Sequence, residues 1–362
     1  MFTSLLRARH GRLALRRFMT AASLALAVLL LTVAMPMSTF TPAASAQAPL
    51  KVRMSVLPIF ISAPIFIAQD KGYFAEAGID LEMTTLWQAS EIIAGFASDS
   101  LDASAGGFGP AQMNAVAQGA LDVRLVAPLH SEKPPVSTPL VVRKALWDDG
   151  TVTSVADLKG RKIAINSRGS AVEYWMYAAL ATGGLTPADV DLVVMSFQDA
   201  SVALANGAID GALIGEPDVT RAELAGNVVR LTEDFVDDIQ VTAVYFKTDF
   251  LEANRPAVER FVAAYLRGAR DLAGDGYRDP VNVAILEKAT KVEASTISIA
   301  RVPFHDPNGR IHIEDFQKMQ DFFVEQGTVR TPIDIPSVVD LSVAEAAVQM
   351  LGGPVGEPVA GR

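Results

Sequence analysis

From Leu50 onward, short apolar runs rich in β-branched residues alternate with stretches whose apolar positions recur at helical spacing. The pattern predicts strand Leu50 to Leu57 and helix Ala63 to Lys71, then strand Ile79 to Leu86 and helix Ala89 to Ser98. Strand Leu101 to Ala105, helix Pro110 to Gly119 and strand Asp122 to Pro128 follow. Strand, helix, strand at this spacing implies right-handed crossover units, and hence an α/β sheet covered on both faces. Three prolines within Ser131 to Pro139 exclude regular helix there, so that segment reads as a connection.

A second alternation starts at Ser154, where a short helix stops at Gly160 and the strand Lys162 to Ile165 follows. It continues as helix Ser170 to Thr182, strand Asp191 to Ser196, helix Asp199 to Gly207, strand Asp210 to Ile214, helix Val219 to Ala225 and strand Val228 to Leu231. Gln240 to Phe246 reads as one more strand, and Asp249 to Gln326 is mostly helical. A helical C-terminal part without its own sheet is expected to pack back on the first lobe. The expected division is therefore lobe 1 over residues 47–142 plus 240–350 and lobe 2 over 143–239, with crossings near Val141 to Lys144 and Asp238 to Val241. Gly and Pro beyond residue 350 predict a flexible tail over 351–362.

The first 46 residues stand apart. Arg7, Arg9, Arg12, Arg16 and Arg17 precede an apolar stretch, Ala21 to Ala34, and the small residues Ala44-Ser45-Ala46. That order predicts a secretory signal peptide cleaved near Ala46 and a periplasmic mature protein; the Arg16-Arg17 pair leaves the twin-arginine route open beside the general one. Zero cysteines exclude disulfides, thiolate metal sites and a cysteine nucleophile. The formal net charge is −10 and becomes more acidic without those arginines, which argues against nucleic acid as a partner. His130, His305 and His312 form no metal-ligand spacing, and no nucleophile-elbow motif is present, so no metal, cofactor or catalysis is expected.

Ala68-Gln69-Asp70-Lys71-Gly72-Tyr73-Phe74 followed by Gly78-Ile79-Asp80-Leu81-Glu82 ends a helix twice, Gly72 supplying a left-handed residue. The pattern A-x-x-K-G-Y-F-x-x-x-G-I-x-L-E resembles the opening of the periplasmic solute-binding proteins of ABC importers in the nitrate, sulfonate, taurine and thiamine-precursor group. The resemblance implies two lobes of the type II binding-protein kind, each a mainly parallel sheet flanked by helices, closing by a two-segment hinge around a small molecule. It also implies a monomer that delivers ligand to a membrane permease and its ATPase. One sulfinate-cleaving relative of this fold relies on a cysteine that is missing here.

Ligands of open α/β sheets sit beyond the carboxyl ends of the strands, so the loops after each strand hold the candidates. These are Pro58 to Ser62 with Phe60, Trp87 to Ser90 with Gln88, Gly106 to Gly109 with Gly107 and Phe108, and Leu129 to Ser131 with His130. In the second lobe they are Asn166-Ser167-Arg168-Gly169-Ser170 and Gly215 to Asp218 with Glu216. At Ser167 to Ser170, free N–H groups at a helix start, two hydroxyls and the Arg168 guanidinium are positioned to converge on an anion. The plainer alternative makes Ser170 an N-cap, Glu173 its capping-box partner and Arg168 solvated. The K-x-x-x-x-x-R-G-S pattern resembles the corresponding loop of sulfonate and taurine binders, which implies a small organic anion or zwitterion. Trp87 and Phe108 suit the walls of an apolar or aromatic pocket, or else cover their own cores. Similar proteins often present an acidic or aromatic side chain where Glu216 stands, which would favour an amine or N–H donor such as an aminopyrimidine. Many sulfonate binders carry a T-G-D-like loop where this chain has Gly106-Gly107-Phe108, a departure that removes a carboxylate and adds a ring.

Overall fold

Strands in the computed structural model, which describes residues 48–356, sort into two five-stranded sheets. The first takes β1 (Leu50–Val56), β2 (Ile79–Thr85), β3 (Ala103–Gly107), β4 (Val123–Pro128) and β10 (Thr242–Lys247) in the order β2-β1-β3-β10-β4. The second takes β5 (Leu140–Arg143), β6 (Lys162–Ile165), β7 (Asp191–Val194), β8 (Gly211–Leu213) and β9 (Val228–Thr232) in the order β7-β6-β8-β5-β9. β1 runs parallel to β2 and β3, and β6 parallel to β7 and β8, while β10 and β5 each run against both neighbours. Helices connect the parallel strands, as right-handed crossovers require. This is the expected two-sheet α/β fold.

One boundary moves. Leu140 to Val142, expected to close lobe 1, belong with Arg143 to β5 of the second sheet, which pairs with β8 and β9. The first crossing is therefore residues 129–139, the proline-rich connection itself, and the return is residues 233–241. Glu132 and Ile239 exchange backbone hydrogen bonds of 3.0 Å across the two crossings. A third segment braces them, because the Ser131 N–H donates to the Phe304 carbonyl at 2.9 Å.

The glycine turn that opens the chain's first lobe also ties down its end. Gly72 adopts φ +80° and starts the short helix Tyr73–Glu76, whose Phe74 is buried and stacks on Phe261 at 4.7 Å. Lys71 and the Tyr73 hydroxyl both reach Asp271, at 2.6 and 2.7 Å, and Arg267 lies over the Tyr73 ring. Those three partners belong to or end the helix Thr248–Asp271, which packs on Ala63–Asp70 and on Leu341–Met350. The C-terminal helices thus cover the first sheet, as expected.

The tail is better held than its composition implies. Arg270 donates to the carbonyls of Leu351 and Gly353, and Asn308 exchanges two 2.9 Å hydrogen bonds with Val355. Order therefore extends past residue 350. The signal-peptide reading and residues 357–362 lie outside the described residues. Among the described residues, no helix is long and apolar enough to cross a membrane.

Candidate functional site

The carboxyl ends of β1, β2 and β3 face the loop after β6, and the two sheets approach each other there. The Ala89 N–H donates to Ser167 Oγ at 3.1 Å, the Ala111 N–H to the Gly169 carbonyl at 3.1 Å, and Asn166 Nδ2 to the Trp87 carbonyl at 3.4 Å. The Phe60 N–H donates to the Glu216 carbonyl at 2.9 Å, and the Trp87 ring meets Phe197 edge-on at 5.5 Å. Each of these contacts joins lobe 1 to lobe 2. The cleft is closed.

Glycines permit that approach. A methyl on Gly109 would lie 2.9 Å from Ser170 Cα and 3.0 Å from the Gly169 carbonyl oxygen, both on the opposite lobe. On a neighbouring face of the interface, Tyr174 and Tyr177 of the helix Ala171–Ala181 pack on Phe322 and Phe323 of Ile313–Glu325, ring to ring at 5.0–6.1 Å. Such aromatic pairs each contribute about 0.5–1.5 kcal/mol beyond burial, so this clasp favours the closed arrangement.

Enclosed by these contacts is a cavity of about 40 Å³. Ser55, Val56, Leu57, Leu86, Trp87, Ala89, Ile92, Ala105, Gly106, Gly107 and Gln112 line it from lobe 1, and Asn166, Ser167 and Ser170 from lobe 2. No ionisable side chain is among them. Beneath it, Ser55 donates to Ser104 at 2.7 Å, and Ser104 pairs in register with Tyr245, so hydroxyls run across β1, β3 and β10. A larger open depression of about 690 Å³ lies elsewhere on lobe 1, lined by charged groups such as Lys71, Asp271 and Arg278 and by none of the strand-end loops.

Of the candidate residues, Trp87, Gly107, Ser167 and Ser170 meet at the cavity, while Gly169 joins the lobes through its carbonyl and does not line it. The others are placed differently. Arg168 turns outward: half exposed, it pairs with Glu173 at 3.1 Å and donates to the Leu192 carbonyl at 2.7 Å. Glu173, buried, also takes the Gly169 N–H at 2.6 Å, and its own N–H goes to Ser170 Oγ at 3.3 Å. Ser170 is the N-cap, as the plainer alternative has it, but the Glu173 carboxylate takes the Gly169 N–H rather than that of the N-cap, and Arg168 is ion-paired rather than solvated. The helix start and the guanidinium, both expected to attract an external anion, are neutralised by a carboxylate two residues inside the helix.

Glu216 is also turned away. Its carboxylate binds Arg230 at 2.8 Å, the Thr220 hydroxyl at 2.9 Å and the Arg301 N–H at 3.3 Å. Burial pushes its pKa up and Arg230 pulls it back. Next to it, burial lifts the Asp218 carboxyl to about 6 despite Arg221. These acids belong to a structural network. Phe108 is fully buried between Tyr245 and Phe316, with centroids at 5.8 and 6.4 Å, and so serves the lobe 1 core. Phe60 packs on Tyr277 at 5.1 Å. Gln88 is exposed and starts the helix Ala89–Ala97, its N–H donating to Glu91 at 3.0 Å. His130, in the first crossing, bonds Thr242 at 2.7 Å and meets the Trp175 ring.

Sequence reasoning missed Ser55, Gln112 and Asn166. Asn166 stands in a loop singled out for inspection, yet Arg168 two residues on carries the stronger chemical signal. Ser55 and Gln112 sit inside a strand and a helix, where loop inspection does not look.

Two α/β lobes joined by paired crossings, with strand-end loops closing on a shared cavity, define the two-lobed solute-binding fold. The NMT1/THI5-like family profile matches residues 60–275, and the chain belongs to that family. It is 27% identical over 249 residues to the riboflavin-binding protein RibY of Chloroflexus aurantiacus, a match covering 64% of this chain and, at 66%, just under two thirds of that relative. Among solved structures, the periplasmic nitrate-binding protein NrtA from Synechocystis superposes with a TM-score of 0.71 at 16% identity, covering 85% of this chain and 91% of that one. The alkanesulfonate-binding protein SsuA from Xanthomonas axonopodis, bound to MOPS, gives 0.65 at 18% identity, covering 81% and 99%. At such identities the likeness establishes the fold.

Proposed function

We propose that this protein is the extracytoplasmic substrate-binding component of an ABC importer, a monomer that traps a small uncharged molecule between its lobes and delivers it to a membrane permease and ATPase. It makes and breaks no covalent bond. The observation that carries the ligand class is the cavity lining: Leu57, Leu86, Trp87 and Ile92 beside uncharged Ser, Gln and Asn side chains. A desolvated anion there would have no cationic side chain to offset the cost of leaving water, which favours a neutral, flat, hydrogen-bonding body over a sulfonate or taurine. The thiamine-precursor aminopyrimidine and the flavin named for the Chloroflexus relative both have that character.

A volume of about 40 Å³ holds water but no ring. The lobes must therefore part about residues 129–139 and 233–241 to load, and the bound form is a less tightly closed state than this one. Thermal shift with riboflavin, 4-amino-2-methylpyrimidine, taurine, methanesulfonate and nitrate tests the reading. A neutral heteroaromatic at 100 times its Kd should add about 2.7 kcal/mol, a rise of a few degrees. Stabilisation by taurine, methanesulfonate or nitrate and not by the heteroaromatics would overturn the neutral-ligand reading.

A further inference from the structure

Asn166 follows β6 directly and lines the cavity from lobe 2. Its side-chain oxygen is buried and has no hydrogen-bond partner, which no other polar side chain lining the cavity shares. The neighbouring hydroxyls are occupied. Ser167 Oγ accepts from Ala89 and donates to the Arg168 carbonyl, while Ser170 Oγ donates to the Ser167 carbonyl and accepts from Glu173. Ser55 donates to Ser104, and Gln112 Oε1 accepts from Gly109.

The orientation of the Asn166 amide follows from its surroundings. Trp87 presents a carbonyl oxygen 3.4 Å from one end of that amide. A carbonyl can only accept, so the NH₂ group faces Trp87 and the oxygen is directed to the other side. An acceptor left unpaired in a buried site is costly, and a ligand that donates to it removes that cost.

We infer that Asn166 is the specificity-determining residue of the cleft: its Oδ1, a buried acceptor without a partner in the cavity lining, selects ligands that present an N–H donor to it. The inference rests on the reading of the cleft as a trap for uncharged molecules. It adds that a ring presenting only acceptors at this position is rejected, even where its shape and apolar area match.

Matched probes isolate the donor. Isothermal titration would compare 4-amino-2-methylpyrimidine with its 4-dimethylamino counterpart, and riboflavin with N3-methylriboflavin, on the wild type and on Asn166→Leu and Asn166→Asp. For the pair that binds, the N–H member should be preferred about tenfold or more by the wild type, Asn166→Leu should abolish that preference, and Asn166→Asp, which retains an acceptor, should keep it. Equal affinities within the pair for the wild type, or a preference that survives in Asn166→Leu, would overturn the role of Asn166 while leaving the neutral-ligand reading intact. Tight binding of taurine or methanesulfonate with none by any of the four probes would overturn both. Far-ultraviolet circular dichroism of each variant separates lost folding from lost recognition.

Discussion

Replacing Arg168 and replacing Glu173 are expected to have unequal effects, because the two sit on opposite sides of one ion pair. The Arg168 side chain is half exposed, so Arg168→Ala should cost no more than about 1 kcal/mol and leave ligand affinity unchanged. Glu173 is buried and also receives the Gly169 N–H. Glu173→Ala strands that donor and removes the carboxylate from the helix start, a loss of about 1–3 kcal/mol. Urea unfolding of both variants checks the order, and equal losses would contradict it. The same pair shows why this loop was only partly legible. A serine, an arginine and a glycine before a helix announce a cluster of donors, and that cluster is present. Which carboxylate answers it depends on side-chain direction one turn into the helix, and residue type does not encode direction. Phe108 repeats the point: a ring between glycines suits a wall or a core equally, and Tyr245 with Phe316 settles it as core.

At the scale of elements, the loop before the helix Pro110–Ala117 and the loop before Ala171–Ala181 touch only in the closed arrangement. Gly109→Ala isolates that contact. The backbone at Gly109 is extended, so alanine introduces no conformational strain within lobe 1, but its methyl would collide with Ser170. The variant should fold with near-wild-type stability and show a larger radius of gyration by small-angle X-ray scattering. An unchanged radius would show that loop contact to be dispensable for closure. Most helices and strands were legible because apolar runs and helical spacing alternate between clear turn signals, even for β6 and β8, which are four and three residues long. β5 was not, because Leu140 to Arg143 emerges from the proline-rich connection and runs directly into the helix Lys144–Asp148, with no glycine or proline turn at its far end to set it off as a strand. The helix Leu341–Met350 lies past the last segment read as helical.

For the whole molecule, the fold class was legible because the strand and helix alternation occurs twice, and the C-terminal return was expected from a helical segment without its own sheet; that the K-G-Y-F turn anchors this return through Asp271 was not read from the sequence. The placement of β10 has a consequence for how the chain assembles. All five strands of the second sheet are drawn from one continuous stretch, residues 140–232, whereas β10 enters between β3 and β4 only at residue 242. A growing or refolding chain can complete lobe 2 from near neighbours, but lobe 1 must wait for its most distant strand, and distant pairings form slowly. Pulse-labelled hydrogen exchange should find the amides of β6 and β8 protected before those linking β3 to β10; simultaneous protection would count against this order. Until β10 arrives, β3 and β4 present naked edges to any other chain nearby, so a ribosome stalled before residue 242 releases a product with one finished half and one prone to aggregate.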